Sequence, residues 1–121
     1  MIKVSKLPKL WIFDLDGTIV KHNGYLIDGE DTLLDGAKDF FERLTSEDKV
    51  VIVTARQKKY KRKIKKFLRK NGIKYYKILF DMPIGERILI NDIKPKGLKT
   101  SVAINTVRDV FMTETFEECD I

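Results

Sequence analysis

Short apolar runs alternate with segments of helical spacing in the first half of the chain. The apolar run Leu10–Phe13 and the β-branched run Val50–Val53 are typical of strands buried on both faces of a sheet. Between them, apolar residues recur every three or four positions, which predicts an amphipathic helix from Thr32 to Thr45. A second helix is predicted after Arg56, and it ends at Asn71-Gly72 because glycine readily adopts the left-handed conformation that closes helices.

The second half of the chain carries further apolar runs of strand length. A third strand is predicted within Ile73–Phe80, a fourth at Arg87–Ile90 and a short fifth at Ser101–Asn105. Apolar spacing over residues 107–111 predicts a final turn or two of helix. Alternating strands and helices imply an α/β fold, a mainly parallel sheet of about five strands with helices on its faces.

Composition limits the protein to a few broad classes. A chain of 121 residues corresponds to one domain, residues 1–121, with a single core. Its contents of 43% hydrophobic and 35% charged residues are typical of a soluble globular protein. No apolar run is long enough to cross a bilayer, and the first residues lack the apolar segment of a signal peptide. With Cys119 as its one cysteine, the chain has no disulfide framework, so we expect a cytoplasmic protein without membrane partners.

Positive charge is concentrated in one segment. Ten of the 24 Lys and Arg residues lie between Arg56 and Lys70, where there is no acid, although the net charge of the whole chain is only +6. A basic segment of this kind attracts phosphate-bearing partners, including nucleic acid. The alternative is an ordinary helix whose polar face is solvated.

Polar residues follow three of the predicted strands directly. Asp14 and Asp16 follow the first strand, Thr54 the second and Asp92 the fourth. In parallel sheets the binding crevice lies outside the carboxyl ends of the strands, so we expect these side chains to share one rim. Two carboxylates there are costly to desolvate unless paired, and Mg²⁺ is their natural partner. Simpler interpretations remain open: a tight turn at Asp14–Gly17 and a helix N-cap at Thr54.

Three short runs carry a resemblance to a known family. They are DLDGT at Asp14–Thr18, VIVTAR at Val51–Arg56 and ILIND at Ile88–Asp92, and they follow one another in the family's order. In these runs the chain resembles the haloacid dehalogenase (HAD) superfamily of phosphohydrolases, in its small capless form. The resemblance implies a three-layer Rossmann-like domain without a cap. It also implies magnesium-dependent hydrolysis of a phosphomonoester through an aspartyl-phosphate.

The resemblance also implies roles for individual residues. Asp14 would be the nucleophile, and Asp16 the general acid and then base, with its main-chain carbonyl on Mg²⁺. Thr54 would hold the transferring phosphoryl group, and Asp92 would complete the metal site of Asp14 and Asp16. The implied substrate-binding residues are Thr18, Ala55 and Arg56.

The sequence departs from the family pattern in two places. The family carries a charge-neutralising lysine where this chain has Met82-Pro83, and we take Lys77 as the replacement. The other candidates are Lys74, Arg87, Lys94 and Lys96. The last motif is Asn91-Asp92, where the family usually has paired acids or Gly-Asp. These departures support a second hypothesis, a non-catalytic or weakly active domain that binds nucleic acid through residues 56–70.

An uncapped site is open to bulky substrates. We expect a phosphorylated sugar, a nucleotide or a phosphorylated polymer end, or a homo-oligomer in which a neighbouring subunit closes the site. A phosphotransferase or mutase is a third hypothesis, although such enzymes normally need a cap to exclude water.

Overall fold

The computed structural model describes residues 1–120, which form two small parallel sheets and three helices. The strands are β1 (Ile2–Val4), β2 (Leu10–Asp14), β3 (Lys49–Val53), β4 (Lys77–Leu79) and β5 (Phe116–Glu118). The helices are α1 (Gly24–Ile27), α2 (Ala37–Arg43) and α3 (Lys61–Lys70), the last preceded by a 3₁₀ turn at Lys58–Tyr60. In the described part of the chain, no helix combines the length and the apolar character that crossing a membrane requires.

The larger sheet has the strand order β2-β3-β4, with all strands parallel. Asp14 at the end of β2 pairs with Val53 at the end of β3, which pairs with Leu79 at the end of β4. The three carboxyl ends therefore form one rim. It includes the predicted ends at Asp14 and Thr54 but not the predicted strand end at Asp92. β1 and β5 make a separate two-stranded parallel sheet.

The hydrophobic core covers one side of β2 only. Phe13 is buried against Phe41 of α2, with ring centroids 5.0 Å apart, and Ile64 of α3 belongs to the same apolar cluster. On the other side of the strand, Leu10 and Ile12 remain 58% and 51% exposed. The expectation that this strand is covered on both faces is therefore wrong. The structure is an α/β arrangement compatible with a Rossmann-like fold. Within residues 1–120, however, the exposed face of β2 has no further layer packed against it.

The predicted fourth and fifth strands do not form. Residues 87–90 and 101–105 are irregular, and Ile88 and Ile90 are 83% and 90% exposed. A strand depends on a neighbour for its main-chain hydrogen bonds, and in the described structure neither run lies beside one. In place of the predicted helix at 107–111 the chain makes a turn over residues 107–110, and Phe111, which follows it, enters the core.

Both long helices are shorter than their patterns predict. α2 begins at Ala37, five residues later than expected, after Gly36 in the left-handed conformation. α3 begins at Lys61, because the chain first turns at the end of β3 and passes through the 3₁₀ segment. Apolar spacing identifies the buried stripe of a helix but not its first residue, which local turns decide.

Candidate functional site

Asp14 presents a half-exposed carboxylate at the rim of the larger sheet. It ends β2, and its side chain keeps 43% of its surface accessible. The hydroxyl of Thr18 donates a hydrogen bond to Oδ2 of Asp14 (3.1 Å), and Nη2 of Arg87 lies 3.7 Å from Oδ1. The carboxylate therefore has one hydroxyl and one positive charge beside it, and it remains open to solvent.

A tight turn at Gly17 brings Thr18 back to Asp14. Gly17 has a φ of 82°, a left-handed conformation that side chains rarely adopt, and a Cβ there would lie 3.2 Å from Cγ of Arg108. The N–H of Asp109 donates to the carbonyl of Gly17 (2.9 Å), which fastens a distant part of the chain to the turn. The turn interpretation of the DLDGT run is confirmed, and it coexists with an accessible Asp14.

The guanidinium of Arg56 lies between two carboxylates. Its Nη2 and Nε donate to Oδ1 and Oδ2 of Asp16 (2.7 and 3.3 Å). Its Nη2 and Nη1 donate to Oδ1 and Oδ2 of Asp31 (2.8 and 3.0 Å). The side chains of Arg56 and Asp31 are each only 1% exposed, and that of Asp16 is 16% exposed. The side chain of Arg56 is therefore committed to Asp16 and Asp31, and its predicted substrate-binding role stays a prediction.

Burial and ion pairing have opposite effects on the pKa of Arg56. Burial disfavours the charged guanidinium, but its hydrogen bonds and ion pairs with Asp31 and Asp16 outweigh that cost and raise the pKa of Arg56. The ring of Tyr25 lies 3.8 Å from the guanidinium carbon and adds a cation–π contact. Burial, followed by the charge of Asp16, raises the pKa of the Tyr25 hydroxyl. This arrangement keeps Arg56 charged and fixed.

Thr54 forms a buried turn at the end of β3. Its hydroxyl oxygen accepts a hydrogen bond from the N–H of Arg56 (3.0 Å), and its carbonyl accepts one from the N–H of Met82 (3.0 Å). Only 1% of the residue is exposed. The helix N-cap interpretation is wrong because α3 begins seven residues later, at Lys61. Contact between the Thr54 hydroxyl and a phosphoryl group stays a prediction.

The remaining predicted residues lie at different distances from the rim. Ala55 is exposed there, and its N–H has no acceptor among residues 1–120. Lys77 begins β4 and pairs with Val51, so its main chain lies two residues from the carboxyl end of the strand. Arg87, one of the other candidates, is the cation beside Asp14. The charge-neutralising role of Lys77 stays a prediction, and Arg87 is the one of its alternatives that lies beside Asp14.

The predicted metal ligands do not converge in the described structure. Asp92 lies in an exposed irregular segment, where its main-chain carbonyl accepts a hydrogen bond from the hydroxyl of Thr100 (2.6 Å). Both carboxylate oxygens of Asp16 are occupied by Arg56. Within residues 1–120, no group of three or more His, Cys, Asp or Glu side chains is arranged to hold a metal ion. Asp14 is the accessible carboxylate at the rim, and the magnesium site stays a prediction.

Sequence reasoning missed Asp31 and Tyr25. Tyr25 lies in α1 and Asp31 in the loop between α1 and α2, and neither belongs to a recognisable motif. Asp31 is 25 residues from Arg56 in sequence, so no local pattern links them. The one available signal is chemical: an arginine directly after a buried strand requires acidic partners if it is itself buried.

Comparison with known proteins identifies similar solved structures only. No family model matches the chain, and no curated protein matches it. Two solved structures of the Pnkp1/Rnl/Hen1 complex, the second described as an RNA repair complex, each match with a TM-score of 0.53. The first match has 26% identity and covers 70% of this chain and 32% of the other; the second has 27% identity and covers 72% and 30%. This chain therefore spans about a third of the chains that it resembles, and it is similar in fold to that part of a protein from an RNA repair complex.

Proposed function

We propose that this chain is a HAD-type phosphatase that removes a terminal phosphate from a phosphorylated polymer. The observation that carries the proposal is Asp14, a half-exposed carboxylate at the end of a parallel strand, with the Thr18 hydroxyl and the Arg87 guanidinium beside it. A carboxylate can attack a phosphate only if nearby positive charge reduces their mutual repulsion. Asp14 supplies the accessible carboxylate, and Arg87 supplies the nearby positive charge.

The proposed reaction consists of two displacements at phosphorus. In the first, a carboxylate oxygen of Asp14 bonds to phosphorus while the bond to the leaving oxygen breaks, and that oxygen takes up a proton that Asp16 donates. In the second, water attacks the aspartyl-phosphate and releases inorganic phosphate, which restores Asp14. Asp16, fixed by Arg56, accepts the proton of the attacking water in this second step. The N–H of Ala55, an exposed residue, donates to no acceptor within residues 1–120 and would donate to a phosphoryl oxygen.

The proposed reaction would use Mg²⁺ as its cofactor. Proteins commonly hold Mg²⁺ with only one or two carboxylates, together with water and substrate phosphate oxygens. Asp14 would supply the carboxylate and Asp16 its main-chain carbonyl, while Asp92 would have to approach from the segment in which it now lies. When bound, the ion would neutralise charge on the phosphoryl group.

The polymer end is preferred over a sugar phosphate for two reasons. The similar structures belong to an RNA repair complex, which points to processing of RNA ends. The chain also carries ten basic residues between Arg56 and Lys70, next along the sequence from the rim. A phosphorylated RNA end is thus the first substrate to test.

The second candidate is a domain that binds nucleic acid without catalysis. It is favoured by the predicted metal ligands, which do not converge within residues 1–120, and by the basic helix. Under this hypothesis the protein would bind RNA in a salt-sensitive manner and release no phosphate.

Metal dependence provides the test of the proposed function. The purified chain is expected to hydrolyse a generic aryl phosphate and a phosphorylated oligonucleotide in the presence of magnesium. Hydrolysis should fall to background with excess EDTA and return when magnesium is restored, because the cation offsets the charge of the phosphoryl group. Phosphate release measured in both conditions decides the matter. Undiminished release in EDTA would contradict a magnesium enzyme, and no release with any substrate would favour the binding domain.

A further inference from the structure

Lysines and tyrosines line a groove between α3 and β4. The groove encloses about 360 Å³ and extends along the chain from Tyr75 to Met82 on one side. Its basic side chains come from both elements. The lysines and tyrosines of the lining are Lys58, Lys61, Lys65, Lys77, Tyr75 and Tyr76. We propose that this groove binds a single-stranded polynucleotide and leads its phosphorylated end toward Asp14. The direction of the strand rests on the proposed function, whereas the binding does not.

The groove ends at the rim that carries the candidate site. At its far end, the N–H of Met82 donates to the carbonyl of Thr54 and the N–H of Asp81 donates to that of Arg56, both at 3.0 Å. The carboxylate of Asp81, the acid of the groove lining, accepts a hydrogen bond from the N–H of Lys58 (3.3 Å). A chain lying in the groove would therefore pass from the start of β4 to its carboxyl end. From there the rim continues past the end of β3, the neighbouring strand, to Asp14 at the end of β2.

The groove concentrates positive charge at close range. Lys61 and Lys65 are one helical turn apart on α3 and face the same groove. Desolvation, and then the neighbouring charge of Lys61, lower the pKa of Lys65. An anion placed between these lysines would relieve their repulsion, and the regularly spaced phosphates of a nucleic acid backbone supply such anions.

The tyrosines distinguish a polynucleotide from other polyanions. Tyr76 is 65% exposed, and Nζ of Lys49 lies over one face of its ring, 4.3 Å from the centre, so a solvent-accessible aromatic ring lies beside a basic side chain. Grooves that bind single strands combine lysines, which follow the backbone, with aromatic rings, on which bases stack. An acidic peptide would use the lysines but not the rings.

Binding of a labelled single strand tests the groove directly. The probe is a fluorescein-labelled oligonucleotide of about ten nucleotides, as RNA and as DNA, measured by anisotropy over a salt series without magnesium. In Lys61→Glu/Lys65→Glu we expect affinity to fall at least about tenfold and the salt slope to become shallower by about 1.4, or about 0.7 for each lysine. Tyr76→Ala should weaken binding about fivefold or more, while Tyr76→Phe should bind as the parent does.

The matched control changes the same charges elsewhere on the same helix. Lys66 and Lys70 have the same spacing on α3, are exposed and lie outside the groove lining. Lys66→Glu/Lys70→Glu should therefore weaken binding by less than about threefold. Equal losses in the two double variants would overturn the proposal in favour of diffuse attraction, and so would absence of binding by the parent protein. Equal competition by polyglutamate and RNA would overturn the assignment to nucleic acid.

The binding measurement separates this inference from the proposed function. If the groove variants behave as expected but no phosphate is ever released, the groove stands and the phosphatase assignment fails. If phosphate is released but the two double variants bind alike, the groove fails and the phosphatase assignment stands. Circular dichroism checks that each variant is folded, and Lys61→Gln/Lys65→Gln replaces the Glu variant if that one is not.

Discussion

Asp14→Asn is expected to reduce hydrolysis of an aryl phosphate by about 1,000-fold or more, to the level of background. The amide keeps the size of the side chain and can still accept the hydrogen bond from Thr18, but it lacks the anionic oxygen that would attack phosphorus. The measurement is the rate of phosphate release at saturating substrate with magnesium present. Folding should be unchanged because the side chain is half exposed.

A matched control is Asp39→Asn, which makes the same chemical change at an exposed position in the first turn of α2. It should hydrolyse the substrate at the rate of the parent protein. Activity that persists in Asp14→Asn would contradict the assignment of the nucleophile. Equal loss in both variants would show that the change acts through something other than the chemistry of position 14.

Asp31→Ala is expected to lower the free energy of unfolding by about 3–5 kcal/mol. Removal of this carboxylate leaves the buried guanidinium of Arg56 with Asp16 as its remaining acidic partner, so a charge that has lost its hydration is only half compensated. The measurement is equilibrium unfolding in urea, with the free energy extrapolated to water. If this variant is too unstable to purify, Asp31→Asn, which keeps one acceptor oxygen, should show a smaller loss.

Asp28→Ala provides the comparison for this prediction. Asp28 forms an ion pair of similar length with Lys21 (2.8 Å), but both side chains are about 40% exposed. Exposed pairs contribute little because water screens them, so we expect a loss of less than about 1 kcal/mol. Similar losses in Asp31→Ala and Asp28→Ala would contradict the conclusion that Arg56 and Asp31 are a buried, structurally essential pair.

The rim of the sheet could be predicted from the sequence because it follows from short-range patterns. Apolar runs identify β2 and β3, and the connecting helix requires the strands to be parallel. Their carboxyl ends must then meet, which brings Asp14 and Thr54 to one edge. This argument needs no knowledge of side-chain partners.

The partners of Arg56 and the irregular state of residues 87–90 could not be predicted in this way. Asp31 reaches Arg56 through the fold of a loop, and its position in the sequence gives no sign of burial. An apolar run forms a strand only if a neighbouring strand is available to pair with it. Local composition does not show whether such a neighbour is present. For the same reason the place of Asp92, which follows that run, was beyond sequence reasoning.

The central claim is that a carboxylate oxygen of Asp14 becomes bonded to phosphorus during turnover. Rapid acid quench of the protein with an excess of substrate and magnesium, followed by peptide mass mapping, tests this claim most directly. We expect a peptide that contains Asp14 and carries the added mass of one phosphoryl group, and we expect no such peptide from Asp14→Asn. Phosphate release by the parent protein with no modified peptide, or with the modification on another residue, would contradict it.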